Sequence, residues 1–201
     1  LAGTFSSFFS YMQRIKIVWA LLLPTMLAAF IFAFFGAMSV AYIPKALMQY
    51  AVFFLLIVMA VYTFIKKDLG KLHTQIQCGK KQIMLGIGFG ALIGFYDGVF
   101  GPGSGSFLLF LFVKVFGFDF LNASASAKLV NLGTFSASLL FFIPSGHVLW
   151  MIGSMVALCN IAGSISGTFL ALRYGSGFIR IFFFILLLFL IGRMGLEIFA
   201  G

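Results

Sequence analysis

Residues 17–44 read IVWALLLPTMLAAFIFAFFGAMSVAYIP, a run with no Asp, Glu, Lys or Arg. About 20 apolar residues carry a helix through the hydrocarbon core of a bilayer, so this run is long enough to cross. Two more charge-free runs follow, Ala46–Ile65 and Leu129–Leu172. Inside a bilayer no water can satisfy backbone amides and carbonyls, whereas a helix satisfies its own. Strands of a membrane barrel would be shorter and would alternate apolar with polar residues, which these runs do not. The expected fold is all-α: a polytopic transmembrane helix bundle.

The composition agrees. Of 201 residues, 63% are hydrophobic and 8% charged, and the mean hydropathy is +1.18. A soluble domain carries about 25% charged residues, so a soluble enzyme, a disordered chain and a disulfide scaffold are all excluded. Apolar runs spread over the whole length also exclude a cleaved signal peptide as their source. The net charge of +9 would suggest nucleic acid in a soluble protein. Here it has a topological meaning, because basic residues collect in cytoplasmic loops. Lys66, Lys67, Lys71, Lys80 and Lys81 share one polar stretch with Asp68, a loop expected to lie beside anionic lipid rather than on nucleic acid. Cys78 and Cys159 have no metal or redox spacing and read as structural thiols. Neither a metal nor a cofactor is expected.

Glycine, proline and charge divide the chain into helical segments at 1–12, 17–40, 46–65, 83–99, 105–117, 121–143, 148–172 and 178–198. The last break is expected at Arg173–Gly177. Gly3-Thr4-Phe5-Ser6 recurs as Gly133-Thr134-Phe135-Ser136, and the two tryptophans, Trp19 and Trp150, are separated by nearly the same interval. Such internal duplication is a habit of secondary transporters. The chain then divides into an incomplete first transmembrane repeat (1–65), a basic cytoplasmic loop (66–82) and a second transmembrane repeat (83–201). Residues 83–132 precede Gly133 in the second copy, while only Leu1 and Ala2 precede Gly3 in the first. The natural protein is therefore expected to be longer at its N-terminus. Arg14 and Lys16 stand in the first loop of copy one, whereas the matching loop, Pro144 to His147, has neither Lys nor Arg. In the next loop Lys45 faces Arg173 and Arg180 of the second copy, so the charge bias swaps, favouring inverted repeats. Segments 83–99 and 105–117 would then form a broken helix hairpin that starts and ends on one side.

The polar signature lies in Gly94-Phe95-Tyr96-Asp97-Gly98-Val99-Phe100-Gly101-Pro102-Gly103-Ser104-Gly105-Ser106. Pro102 removes a donor and the glycines permit left-handed backbone. A nest of this kind running into a helix N-terminus, expected at Ser106-Phe107, suits an anion. It is not a nucleotide P-loop, since no Lys-Ser/Thr follows Gly103. The competing reading is close helix packing, in which the glycines only let backbones approach. Asp97 costs about 2.5–3.5 kcal/mol to insert on translocon scales, so it needs a partner, a proton or water; a structural acid and a transport acid are both open. Lys128 either snorkels to the interface or supplies a positive charge. Asn131 and Thr134 follow it at three and six residues, near enough to share a helix face.

GFYDGVFGPGSGSF (94–107) and ASASAKLVNLGTFSASLLFF (123–142) resemble the second-half signatures of the TauE/SafE sulfite exporter family of bacterial membrane proteins. The resemblance extends over essentially the whole chain. It implies that Asp97, Gly98, Gly101, Gly103 and Gly105 match the family's glycine motif, and that Lys128 and Asn131 match its second polar motif. With Ser104 and Thr134 these form the expected substrate-binding set. The N-terminal copies of both signatures are absent from this chain. The implied function is a secondary transporter of the bacterial inner membrane, exporting small anions such as sulfite, sulfonates or related organosulfur compounds, with protons as a candidate coupling ion. A passive anion channel and a structural membrane subunit are the alternatives, and a homo-oligomer is compatible with all three. An enzyme is not expected: Asp68, Asp119, Glu197, His73 and His147 sit in loops or near span ends.

Overall fold

The computed structural model describes residues 1, 3–5, 17–40, 42–65, 79–101, 103–118, 120–146 and 149–199. Most of the expected first segment, Arg14, Lys16, the lysine-rich loop through Cys78, Pro102, Asp119 and His147 lie outside the described residues. Among the described residues the fold is carried by helices α1 (Trp19–Val40), α2 (Lys45–Ile65), α3 (Lys80–Val99), α4 (Ser104–Lys114), α5 (Phe120–Phe142) and α6 (Trp150–Phe199). There are no strands among the described residues, and the class is all-α. Among the described residues, four stretches are long and apolar enough to cross a membrane: Trp19–Val40, Lys80–Val99, Asn122–Phe142 and Trp150–Leu170.

The closest packing is between α1 and α3, with α5 lying against both; α4 rests on α5, and α2 on α6. The sequence cause is a ladder of small residues. Gly86, Gly90, Gly94 and Gly98 recur every fourth position and so share one face of α3. Each meets α1 where α1 is also small or compact, at Thr25, Ala29, Ala33 and Ala37. A Cβ on Gly90 would lie 2.6 Å from the Thr25 carbonyl oxygen, and one on Gly94 2.6 Å from the Ala29 Cα. The two backbones are thus in direct contact, the usual basis of association in lipid, where apolar burial gives no advantage. The opposite face of α1 carries Leu23, Leu27, Ile31 and Phe35, all exposed, as expected of a surface solvated by acyl chains.

Beyond the α1–α3 contact the core is built from Leu21, Leu22, Ile93, Leu108, Phe112, Phe116, Phe118 and Val130. Gly117, at φ 69, turns the chain after α4. Phe118 then folds back, its N–H bonding the Phe112 carbonyl at 3.0 Å and its ring lying 5.4 Å from that of Phe112. This aromatic knot fixes α4 against the start of α5.

α3 begins at Lys80, inside the expected 66–82 loop, and α4 ends at Lys114 rather than 117; the largest difference from the sequence reading is in α6. No break occurs at Arg173–Gly177: α6 runs continuously from Trp150 to Phe199. Arg173-Tyr174-Gly175-Ser176-Gly177 contains no proline, and a helical glycine costs only about 1 kcal/mol relative to alanine. Charge and glycine marked a boundary that the backbone does not need.

The α1–α3 contact yields a direct test. Gly94→Ala should destabilise the protein by about 1–3 kcal/mol, the usual range for overpacking, because the added methyl meets backbone rather than a movable side chain. Gly88→Ala, whose Cβ would meet nothing within 4 Å, should be neutral or slightly stabilising. Unfolding in detergent or nanodiscs measures both.

Candidate functional site

The hairpin between α3 and α4 positions the first polar cluster. Gly101 (φ 79) and Gly103 (φ 88) are left-handed, conformations that favour glycine, and α4 restarts at Ser104. The helix N-terminus therefore stands two residues before the expected Ser106-Phe107. The amides of those two residues are used within the turn, both bonding the Gly103 carbonyl, at 2.9 and 3.1 Å. Left-handed Gly103 aims its carbonyl into the first turn of α4, so these two donors are not offered to an anion. Gly98 belongs to the α1 contact, its added Cβ meeting backbone of Ala33 and Ala37. For that residue the packing reading holds.

Asp97 occupies the last turn of α3 and is 6% exposed. α5 brings Thr134 to it, 1% exposed, with Asn131, 7% exposed, three residues earlier on the same helix. The Thr134 hydroxyl pairs with Asp97 Oδ2 and also lies 3.1 Å from the Asn131 main-chain carbonyl. A hydroxyl has one proton to give, so it cannot donate to both at once. Ser104, 2% exposed at the start of α4, presents its hydroxyl to the same carboxyl. Among the described residues, Asp97 Oδ1 and Asn131 Oδ1 are buried without a hydrogen-bond partner. A Cβ on Gly105 would lie 2.9 Å from Asn131 Nδ2, so glycine there leaves room for the amide. Asp97, Ser104, Gly105, Asn131 and Thr134 are thus brought together at the hairpin, Gly101 and Gly103 shaping its turn.

Lys128 stands apart from this cluster. It opens on a groove of about 490 Å³, open to the outside, lined by Thr4, Lys128, Val156, Cys159, Asn160, Gly163 and Ser164, of which Val156, Cys159 and Asn160 are exposed. The groove lies between α5, the first half of α6 and the N-terminal segment, whose Gly3 carbonyl accepts a hydrogen bond from Ser164. Successive helical residues turn by about 100°, so Lys128 and Thr134 are roughly 120° apart around α5. Asn131 and Thr134 accordingly face α3 while Lys128 faces α6. Sequence reading had not identified Asn160 or Ser164, although an asparagine in a charge-free span is itself a signal. Thr4 was visible only as the repeat partner of Thr134. No group of three or more His, Cys, Asp or Glu side chains suited to a metal occurs among the described residues.

A family model described as Sulfite exporter TauE/SafE matches residues 1–194. A "Probable membrane transporter protein ORF9" of a Sinorhizobium species is 32% identical over 182 residues, covering 90% of this chain and 68% of that protein. The "Probable membrane transporter protein YfcA" of Escherichia coli (strain K12) is 34% identical over 149 residues, 72% of this chain and 53% of its own. A "Probable membrane transporter protein" of Haemophilus influenzae is 28% identical over 145 residues, 72% of this chain and 56% of its own. The chain thus spans between about half and two thirds of the length of these relatives. No solved structure matches it significantly.

The Gly105–Asn131 contact separates folding from function. Gly105→Ala should leave stability within about 1 kcal/mol of the parent, because the group displaced is the end of a side chain. It should nonetheless shift the Asn131 amide and depress any activity that depends on the cluster. Equal activity in parent and variant would detach Asn131 from the site.

Proposed function

The chain belongs to the sulfite exporter TauE/SafE family, and from that premise we propose that it is part of a secondary transporter carrying small anions across the bacterial inner membrane. Sulfite, sulfonates and related organosulfur anions are the proposed substrates. The observation that carries the reading is the Lys128 groove. Lys128 lies inside a span, Asn122–Phe142, and a lysine at such depth is expensive unless it serves a pathway or finds a partner. Hydroxyl and amide groups of Thr4, Asn160 and Ser164 share the groove with it. An ammonium beside neutral hydrogen-bonding groups suits a small oxyanion, which accepts several bonds and carries the opposite charge.

The two repeats proposed from the sequence fit the same reading. Trp19 and Trp150 each begin a helix, and Thr4 and Thr134, matched by the repeat, are both buried. Polar sites in repeat-built transporters gather where the two copies meet. The Lys128 groove takes its lining from the N-terminal segment of one copy and from α5 and α6 of the other. We place the basic loop on the cytoplasmic side, with the repeats inverted.

A passive channel through the same groove would conduct down the anion gradient without a coupling ion, so flux driven uphill by an ion gradient separates the two. In the complete protein that contains this chain, Lys128→Ala should lower sulfite efflux from vesicles roughly 10-fold or more. That is the scale of losing one hydrogen bond to a charged group. Lys128→Arg should retain part of the flux. Parental flux in Lys128→Ala at normal membrane abundance would remove the groove from the pathway.

A further inference from the structure

The hairpin cluster differs chemically from the Lys128 groove: it is built around a carboxylate, with hydroxyls and an amide beside it. Asp97 contributes two carboxylate oxygens, Asn131 a side-chain oxygen, and Ser104 and Thr134 hydroxyl oxygens. Two of these acceptors, Asp97 Oδ1 and Asn131 Oδ1, are buried without a partner among the described residues, although buried polar groups ordinarily find one. The Thr134 hydroxyl pairs with Asp97 Oδ2 and Ser104 offers its hydroxyl to the same carboxyl, but both donors are neutral and Oδ1 stays without a partner. The charge of the carboxylate is left unbalanced within the cluster.

The backbone sharpens this imbalance. Asp97 lies in the last turn of α3, where the helix dipole is negative and a carboxylate is disfavoured. The fourth residue after Gly98 is Pro102, which has no N–H, so the Gly98 carbonyl cannot receive the amide that would continue the helix. The end of a broken helix with an adjacent carboxylate is a setting in which transporters hold Na⁺. A single proton could join only one pair of these oxygens, whereas Na⁺ is a hard cation that gathers several oxygen ligands at once.

We infer that Asp97, Asn131, Thr134 and Ser104 form a sodium-ion site at the α3–α4 break, separate from the Lys128 groove, and that Na⁺ is the coupling ion. The coupling role rests on the transporter reading; the binding site does not. With the ion in place, both orphaned oxygens gain a ligand bond and the charge of Asp97 is balanced without Lys128. Na⁺ and the anion then occupy neighbouring sites on two faces of α5. The helix can thereby link their occupancies.

Binding is tested without transport. The complete protein in nanodiscs is melted across a NaCl titration, with choline chloride holding ionic strength constant and KCl run in parallel. At tenfold excess over Kd, Na⁺ should raise Tm by roughly 3–6 °C, K⁺ should do much less, and Asp97→Asn should abolish the Na⁺-specific shift. Should Asp97→Asn fail to fold, Asn131→Ala, which keeps the carboxylate, must weaken Na⁺ binding about tenfold, a typical effect of losing one oxygen group around an ion. An undiminished Na⁺ shift in the variant that folds overturns the site. So does a stability that follows pH but not Na⁺, since the occupant would then be a proton. A retained Na⁺ shift in a protein that moves no sulfite would reject the transporter reading while leaving the ion site standing.

Discussion

The contact on which the rest of the molecule depends is the meeting of two backbones. With glycine at every fourth position of α3 facing Thr25, Ala29, Ala33 and Ala37 of α1, the two helices approach as closely as main chains allow. In lipid, where burying leucine gains little, such close packing supplies much of the association energy. It also fixes the rotation of α3. Once Gly94 and Gly98 point at α1, Asp97 is carried round toward α5, where Asn131 and Thr134 wait. The stability of the bundle and the placement of its intramembrane carboxylate therefore share one cause.

A second consequence concerns the hairpin. α3 ends and α4 begins within a few residues, so a negative helix end and a positive one lie close together. The positive end had been expected to bind an anion. Its Ser106 and Phe107 amides instead close on Gly103, while the negative end carries Asp97, whose Oδ1 has no partner among the described residues. The proposed sodium-ion site lies at that end. The cationic side chain, Lys128, opens on the other side of α5.

The crossing helices were legible because charge-free runs in a chain this apolar admit little else. Residues 17–40 and 46–65 correspond to α1 and α2, and the left-handed Gly101 and Gly103 lie where glycine and proline cluster in the sequence. Other features were misread or passed over for physical reasons. The ladder Gly86, Gly90, Gly94, Gly98 was visible as a four-residue period, but glycine had been weighed chiefly as a breaker, and its packing role depends on what α1 offers opposite. Arg173–Gly177 looked like a loop because composition cannot say whether glycine continues a helix. Lys128, Asn131 and Thr134 were grouped by spacing, yet six residues drift far enough around a helix to face different neighbours. In the structure Thr134 meets Asp97 of α3, while Lys128 opens toward α6.

The most direct test is whether Asp97 and Thr134, 37 residues apart in sequence, act on each other inside the folded bundle. A double-mutant cycle with Asp97→Asn and Thr134→Val, read from unfolding in nanodiscs, isolates that interaction from the separate effects of each change. The structure predicts a coupling energy of about 1 kcal/mol or more, within the range for buried residues in contact. Additivity within about 0.5 kcal/mol, the behaviour of distant sites, would contradict the placement of Asp97 against α5.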